Sequence, residues 1–200
     1  MQRTAHALRR RSPARKALPA LLFFTDPERT PDPIAAAAVL PRGAAVVYRA
    51  FGAPDALATA VRLKAFARRR GLVLLIGADA ALARSAGADG VHLPERDAGR
   101  ARTLKAARPR WIVTAAAHGL SAARRARASG ADAAVVSAIF PSRSPSAGAP
   151  IGPVRLARLT RHAGLPVYAL GGVNNETARR LLDAGLVGLA AVEGLSRPRT

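Results

Sequence analysis

Short apolar runs recur along the chain, separated by longer stretches in which alanine, leucine and arginine mix with polar positions. Eight such runs predict strands: Ala20 to Thr25, Ala44 to Arg49, Leu72 to Ile76, Gly90 to Leu93, Trp111 to Ala115, Ala133 to Ser137, Pro166 to Leu170 and Val187 to Val192. Seven helices are predicted in the gaps, over 33–40, 54–70, 79–86, 98–107, 121–129, 154–163 and 174–184. In the second of them Leu57, Val61 and Ala65 recur at every fourth position, the stripe expected of a helix laid on a sheet. Because most strands are continuously apolar rather than alternating, the sheet they form is parallel and covered on both faces. Eight strands with a helix in each gap over 200 residues predict a compact (β/α)₈ TIM barrel. A doubly wound open sheet is the alternative, but it usually carries a glycine-rich turn after its first strand, where this chain has Thr25-Asp26-Pro27. Few residues follow Val192, so the eighth helix is expected to be shortened.

Composition narrows the picture. Half of the residues are apolar, enough for one core, and there is no cysteine, which excludes disulfides, thiolate metal sites and a cysteine nucleophile. The formal charge is +20, yet only Lys16, Lys64 and Lys105 are lysines, and so arginine-rich a bias is weak evidence for nucleic acid. Nucleic acid is therefore not expected as a partner. Residues 1–17 carry six cations and no acid, and are expected to be a disordered basic tail before a barrel domain at 18–200. No apolar run is long enough to span a membrane, and the expected location is cytoplasmic.

In a barrel of this kind the chemistry sits just beyond the C-terminal ends of the strands. After the seventh strand comes Gly171-Gly172-Val173-Asn174, where two glycines opening a helix let backbone N–H groups approach a phosphate. The plain alternative is a tight turn with Asn174 as a helix cap. After the sixth strand, residues 139–150 offer Ser142, Arg143 and Ser144, hydroxyls and a guanidinium suited to closing over a phosphorylated ligand, or simply a surface loop. His92 lies within a strand and reads more readily as a core histidine. His118 lies just past the fifth strand, where an imidazole can shuttle a proton.

The segments Gly87-Ala88-Asp89-Gly90-Val91-His92-Leu93-Pro94-Glu95-Arg96-Asp97, Ala117-His118, Gly130-Ala131-Asp132, Phe140-Pro141-Ser142 and Pro166-Val167-Tyr168-Ala169-Leu170-Gly171-Gly172-Val173 together resemble the thiamine phosphate synthase and TenI-type thiazole tautomerase superfamily, in its order and spacing over roughly residues 18–197. The resemblance implies a (β/α)₈ barrel and thiamine biosynthesis. The synthase reaction joins a hydroxymethylpyrimidine diphosphate to a thiazole phosphate and expels pyrophosphate with the help of Mg²⁺. Its partners are thus a phosphorylated thiazole and a pyrimidine diphosphate. A homo-oligomer is left open.

Carried over position by position, the resemblance is lopsided. The family's Gln-x-Arg-x-Lys falls on Val47, Arg49 and Phe51, so only Arg49 survives as a catalytic cation. Its Asn-Asp pair falls on Gly77-Ala78 with Asp79 one residue away, its second magnesium carboxylate on Asp97, its serine on Ala116 and its loop lysine on Pro145. The thiazole-phosphate side matches better, through Ser142, Ser144, Gly171, Gly172 and the strand end Val192-Glu193, with Arg143 the nearest substitute cation. His118 falls on the position that tautomerases use for proton transfer. Three functions follow as expectations: a synthase with an eroded pyrophosphate and Mg²⁺ site, a thiazole tautomerase using His118, and a non-catalytic phosphate-ligand-binding or regulatory protein.

Overall fold

The structure is a computed structural model, and it describes residues 1–11, 18–142 and 148–192. Eight parallel strands close on themselves in chain order, so the open-sheet alternative is set aside. They are β1 (Leu21–Phe24), β2 (Ala45–Tyr48), β3 (Val73–Gly77), β4 (Gly90–Leu93), β5 (Ile112–Ala117), β6 (Ala133–Val136), β7 (Val167–Ala169) and β8 (Gly188–Ala191), with β1 paired to both β2 and β8. All eight lie within a residue or two of the predicted runs.

Two apolar cores follow from this closure. Inside the barrel, Leu22 and Phe24, Ala45 and Val47, Leu75, Ile112, Val135, Tyr168 and Ala190 pack against one another. Tyr168 is fully buried and donates its hydroxyl to the Pro19 carbonyl at 2.7 Å. Its ring occupies the space beside Gly188, where an added Cβ would come within 2.8 Å of it. The outer core lies between strands and helices, and each Leu or Val side chain buried there contributes roughly 1.5–3 kcal/mol.

The helices are α1 (Gln2–Arg11), α2 (Pro33–Ala38), α3 (Ala56–Arg70), α4 (Ala80–Ser85), α5 (Ala101–Ala107), α6 (Leu120–Ala128) and α7 (Gly152–Ala163). Two 3₁₀ turns, Glu95–Arg100 and Thr177–Leu181, follow β4 and β7. Within the basic segment expected as a tail, α1 buries Ala5 and Leu8, spaced three apart, in the outer core beside β8. Two expectations about the helices are corrected. The face of α3 turned to the barrel carries Ala60, Leu63 and Ala67, whereas Leu57, Val61 and Ala65 are exposed. Alanines on the inner face let the helix approach the strands closely, and the periodicity of the larger residues misled. The helix predicted over 174–184 is only the short 3₁₀ turn. The eighth helix expected after Val192 lies outside the described residues, and no described helix is long and apolar enough to cross a membrane.

The Gly-Ala-Asp segments have a structural explanation at the opposite, N-terminal end. Asp89 and Asp132 each precede a strand and accept the backbone N–H of the neighbouring strand, from Leu74 and Val113, both at 2.8 Å. Each also pairs with a lysine, Lys64 and Lys105 respectively. Lys105 further donates to the carbonyls of Pro109 and Trp111, a use of three ammonium protons that a planar guanidinium does not match.

Candidate active site

Three constellations form where the strands end. The first surrounds Arg49, directly after β2. Its backbone N–H donates to Thr25 Oγ1 at 3.0 Å, its Nε to the Thr25 carbonyl at 2.6 Å, and an Nη to Asp26 at 3.1 Å. The guanidinium lies over the rings of Phe24 and Phe51, 5.9 and 5.2 Å from their centroids. A Cβ on Gly77 would come within 2.9 Å of Arg49 Cγ, so the absence of a side chain there makes room for the Arg49 side chain. Burial pulls the Arg49 pKa below its ordinary value, and the Asp26 carboxylate only partly opposes this. Phe51 is 69% exposed and holds a positive φ of 47°, as Ala78 does at 63°. For non-glycine residues this is a strained conformation of the kind that gathers at sites.

His92 belongs to this constellation. Its ring packs edge-on to Phe24 with centroids 4.9 Å apart, and Nδ1 lies 3.0 Å from Thr114 Oγ1. Burial, with a smaller contribution from the Arg49 charge, lowers its pKa to about 3. It is therefore a neutral, packed imidazole at neutral pH.

The second constellation centres on His118, which follows β5. Glu95 Oε2 accepts from both the His118 backbone N–H at 3.0 Å and its Nδ1 at 2.8 Å. The other oxygen, Oε1, accepts from Arg125 on α6 at 2.7 Å, and Arg125 also donates to Ser121 at 2.9 Å. Burial works against the Glu95 carboxylate, but the hydrogen bonds from His118 and the charge of Arg125 outweigh it and hold its pKa below the ordinary range. Neither Glu95 nor Arg125 stands out in the sequence. The available signals were the register, since Leu93 pairs with Ala115 and so brings the residues beyond β4 and β5 together, and the four-residue spacing of Ser121 and Arg125.

The third is the Gly171-Gly172 turn, with φ of 91° and 64°. Phe140 N–H donates to the Gly171 carbonyl, and a Cβ on Gly172 would lie 2.5 Å from the Pro141 carbonyl oxygen. The turn is thus packed tightly on the loop after β6, which Arg180 covers from above the Phe140 ring. Asn174 Oδ1 accepts from the N–H groups of Glu176 and Thr177, and Thr177 Oγ1 donates to the Gly172 carbonyl at 2.9 Å. Ser142 is half-buried in the same loop and Val192 lies partly buried at the end of β8. Arg143, Ser144, Pro145 and Glu193 lie outside the described residues.

Among the described residues the carboxylates do not fit a paired magnesium site. Asp79 uses Oδ1 to cap α4 through the Leu82 N–H at 2.8 Å, and Asp26 holds Arg49. Asp97 Oδ2 lies 4.0 Å from Arg96 Nε. Among the described residues no three His, Asp or Glu side chains gather in a way that could hold a metal ion.

Comparison with known proteins agrees with the fold. The model of the thiamine monophosphate synthase family matches residues 21–195. A thiamine-phosphate synthase of Thiobacillus denitrificans is 39% identical over 139 residues, which cover 69% of this chain and 66% of that protein. Another, from Alcanivorax borkumensis, is 32% identical over 186 residues, 88% of this chain and 84% of the relative. The chain spans just under two thirds of the Thiobacillus protein, and 30% and 29% of two bifunctional thiamine biosynthesis relatives. Among solved structures, the thiamine phosphate pyrophosphorylase of Pyrococcus furiosus superposes with a TM-score of 0.75 at 24% identity, covering 88% of this chain and 87% of the other. This barrel, with its Gly-Gly turn after β7 and its histidine after β5, belongs to the thiamine monophosphate synthase family.

Proposed function

We propose that the chain is a thiamine-biosynthesis enzyme that moves a proton on a phosphorylated thiazole, with His118 as the acid–base group and the Gly171-Gly172 turn as the phosphate anchor. The observation that carries this reading is the pairing of His118 with Glu95, which leaves one imidazole nitrogen for a substrate. Such an isomerisation removes a proton from one position and returns it at another, so it consumes no co-reactant. Ser142 would contact the phosphate, with Val192 beside the ring.

Coupling of a hydroxymethylpyrimidine diphosphate to the thiazole phosphate is the second reading. It is favoured by the synthase names of the relatives and by the retained Asp97 and Arg49. Against it stand the commitment of Arg49 to Thr25 and Asp26, and of Asp79 to its helix cap. Losing one preorganised donor to developing charge typically costs about 3–4 kcal/mol, and several are replaced here. Calorimetric titration with thiazole phosphate, and separately with pyrophosphate plus Mg²⁺, separates the two. The isomerase reading expects thiazole phosphate to bind and magnesium pyrophosphate not to. Tight binding of both returns the synthase to first place.

A further inference from the structure

We propose that Glu95 is a positioning residue that fixes the tautomer and the direction of the His118 ring, an inference that rests on the acid–base role given to His118 above. An ionised carboxylate can only accept hydrogen bonds, so the 2.8 Å contact requires the proton to sit on His118 Nδ1. The lone pair is then on Nε2, the atom free to take a proton from a ligand. The second hydrogen bond to the same oxygen, from the His118 backbone at 3.0 Å, ties the carboxylate to the main chain of the residue whose ring it orients.

Glu95 is itself held. Arg125 fixes its other oxygen, and Ser121, one helical turn earlier on α6, fixes Arg125. The arrangement links the turn after β4, the end of β5 and the first turns of α6, three elements whose relative places the barrel determines. Arg124 lines a groove of about 560 Å³ on α6 with Leu120, Ser121, Arg125 and Ala128. Arg96 and Asp97 lie on the turn that carries Glu95, and lean on each other at 4.0 Å. Glu95 is thus the acceptor to which His118 is bound, and a carboxylate behind an acid–base imidazole is a recurrent way of selecting its tautomer.

The test uses the full chain with ¹⁵N-labelled histidine, the variants Glu95→Ala and Glu95→Gln, and His118→Ala as the reference. In the wild type, the His118 ¹⁵N shifts should report Nδ1–H with an unprotonated Nε2. In Glu95→Ala they should move to the Nε2–H form, while kcat on a phosphorylated thiazole drops roughly tenfold or more and KM stays within about twofold. Glu95→Gln, whose amide oxygen still accepts from Nδ1, should recover most of both. An unchanged tautomer or an unchanged kcat in Glu95→Ala, with His118→Ala inactive, overturns the role of Glu95 alone. Normal turnover by His118→Ala overturns the acid–base reading and the positioning role with it.

Discussion

Arg49 and Asp26 form an ion pair 3.1 Å apart across the ends of β1 and β2, and the same guanidinium donates to the Thr25 carbonyl. The cation that the sequence assigns by resemblance to pyrophosphate binding is thereby turned toward its own protein. Releasing it should expose a latent anion site. Asp26→Ala is expected to bind pyrophosphate roughly 3- to 10-fold more tightly than the wild type, equivalent to about 1 kcal/mol. Calorimetry checks this, and an unchanged affinity means that Arg49 remains committed without Asp26.

His92 gives the fold a pH signature. Its folded pKa of about 3 lies below the ordinary value of 6.5, so between these limits the unfolded chain takes up a proton that the folded chain does not. Stability is complete above about pH 6.5 and is lost as the pH falls toward 3. Denaturant midpoints at pH 7 and pH 5 should show the wild type losing about 1–2 kcal/mol more than His92→Asn, whatever the substitution costs at pH 7. Parallel losses in the two proteins would mean that His92 protonates freely in the fold.

The two lysine–aspartate pairs under the barrel differ in burial. The Asp132 side chain is 13% exposed and that of Asp89 37%. Asp132→Ala removes the carboxylate that Lys105 and the Val113 N–H share, leaving the ammonium without its counter-charge, and should cost about 2–4 kcal/mol. Asp89→Ala should cost less. Urea unfolding of both variants tests the order, and a larger loss at Asp89 would contradict it.

Gly172 has no room for a side chain, whereas a Cβ on Gly99 would meet nothing within 4 Å. Gly172→Ala is expected to lose at least about 1 kcal/mol of stability from its positive φ alone, and to weaken thiazole phosphate binding at least roughly tenfold as the turn shifts away from the loop after β6. Gly99→Ala should leave both within error. Unimpaired binding by a folded Gly172→Ala would remove the turn from the phosphate site.

Much of the barrel is legible in the sequence because its strands are covered on both faces and so appear as unbroken apolar runs, such as Leu72 to Ile76. What escaped depends on side-chain size and on pairs far apart in the chain. The exposed Leu57 and Val61 outweigh the buried Ala60 and Ala67 in any hydrophobic pattern, although the alanines make the contact. In the first eleven residues the arginines mask the three-residue spacing of Ala5 and Leu8. His118 could be named from its place after a strand, but Glu95 becomes its partner only through the register of β4 and β5. Likewise Thr25-Asp26 reads as a turn until Arg49, 23 residues beyond Asp26, folds onto it.

In the proposed reaction the proton is transferred at His118 without a metal. Turnover of a phosphorylated thiazole by the wild type and by His118→Ala, in buffer treated with EDTA, tests it most directly. Wild-type turnover is expected to be unchanged by added Mg²⁺ and by the substitution Asp97→Ala, and to fall roughly 10²- to 10⁴-fold in His118→Ala. Equal rates for the two proteins, or wild-type turnover that appears only with Mg²⁺ and is lost in Asp97→Ala, would contradict it.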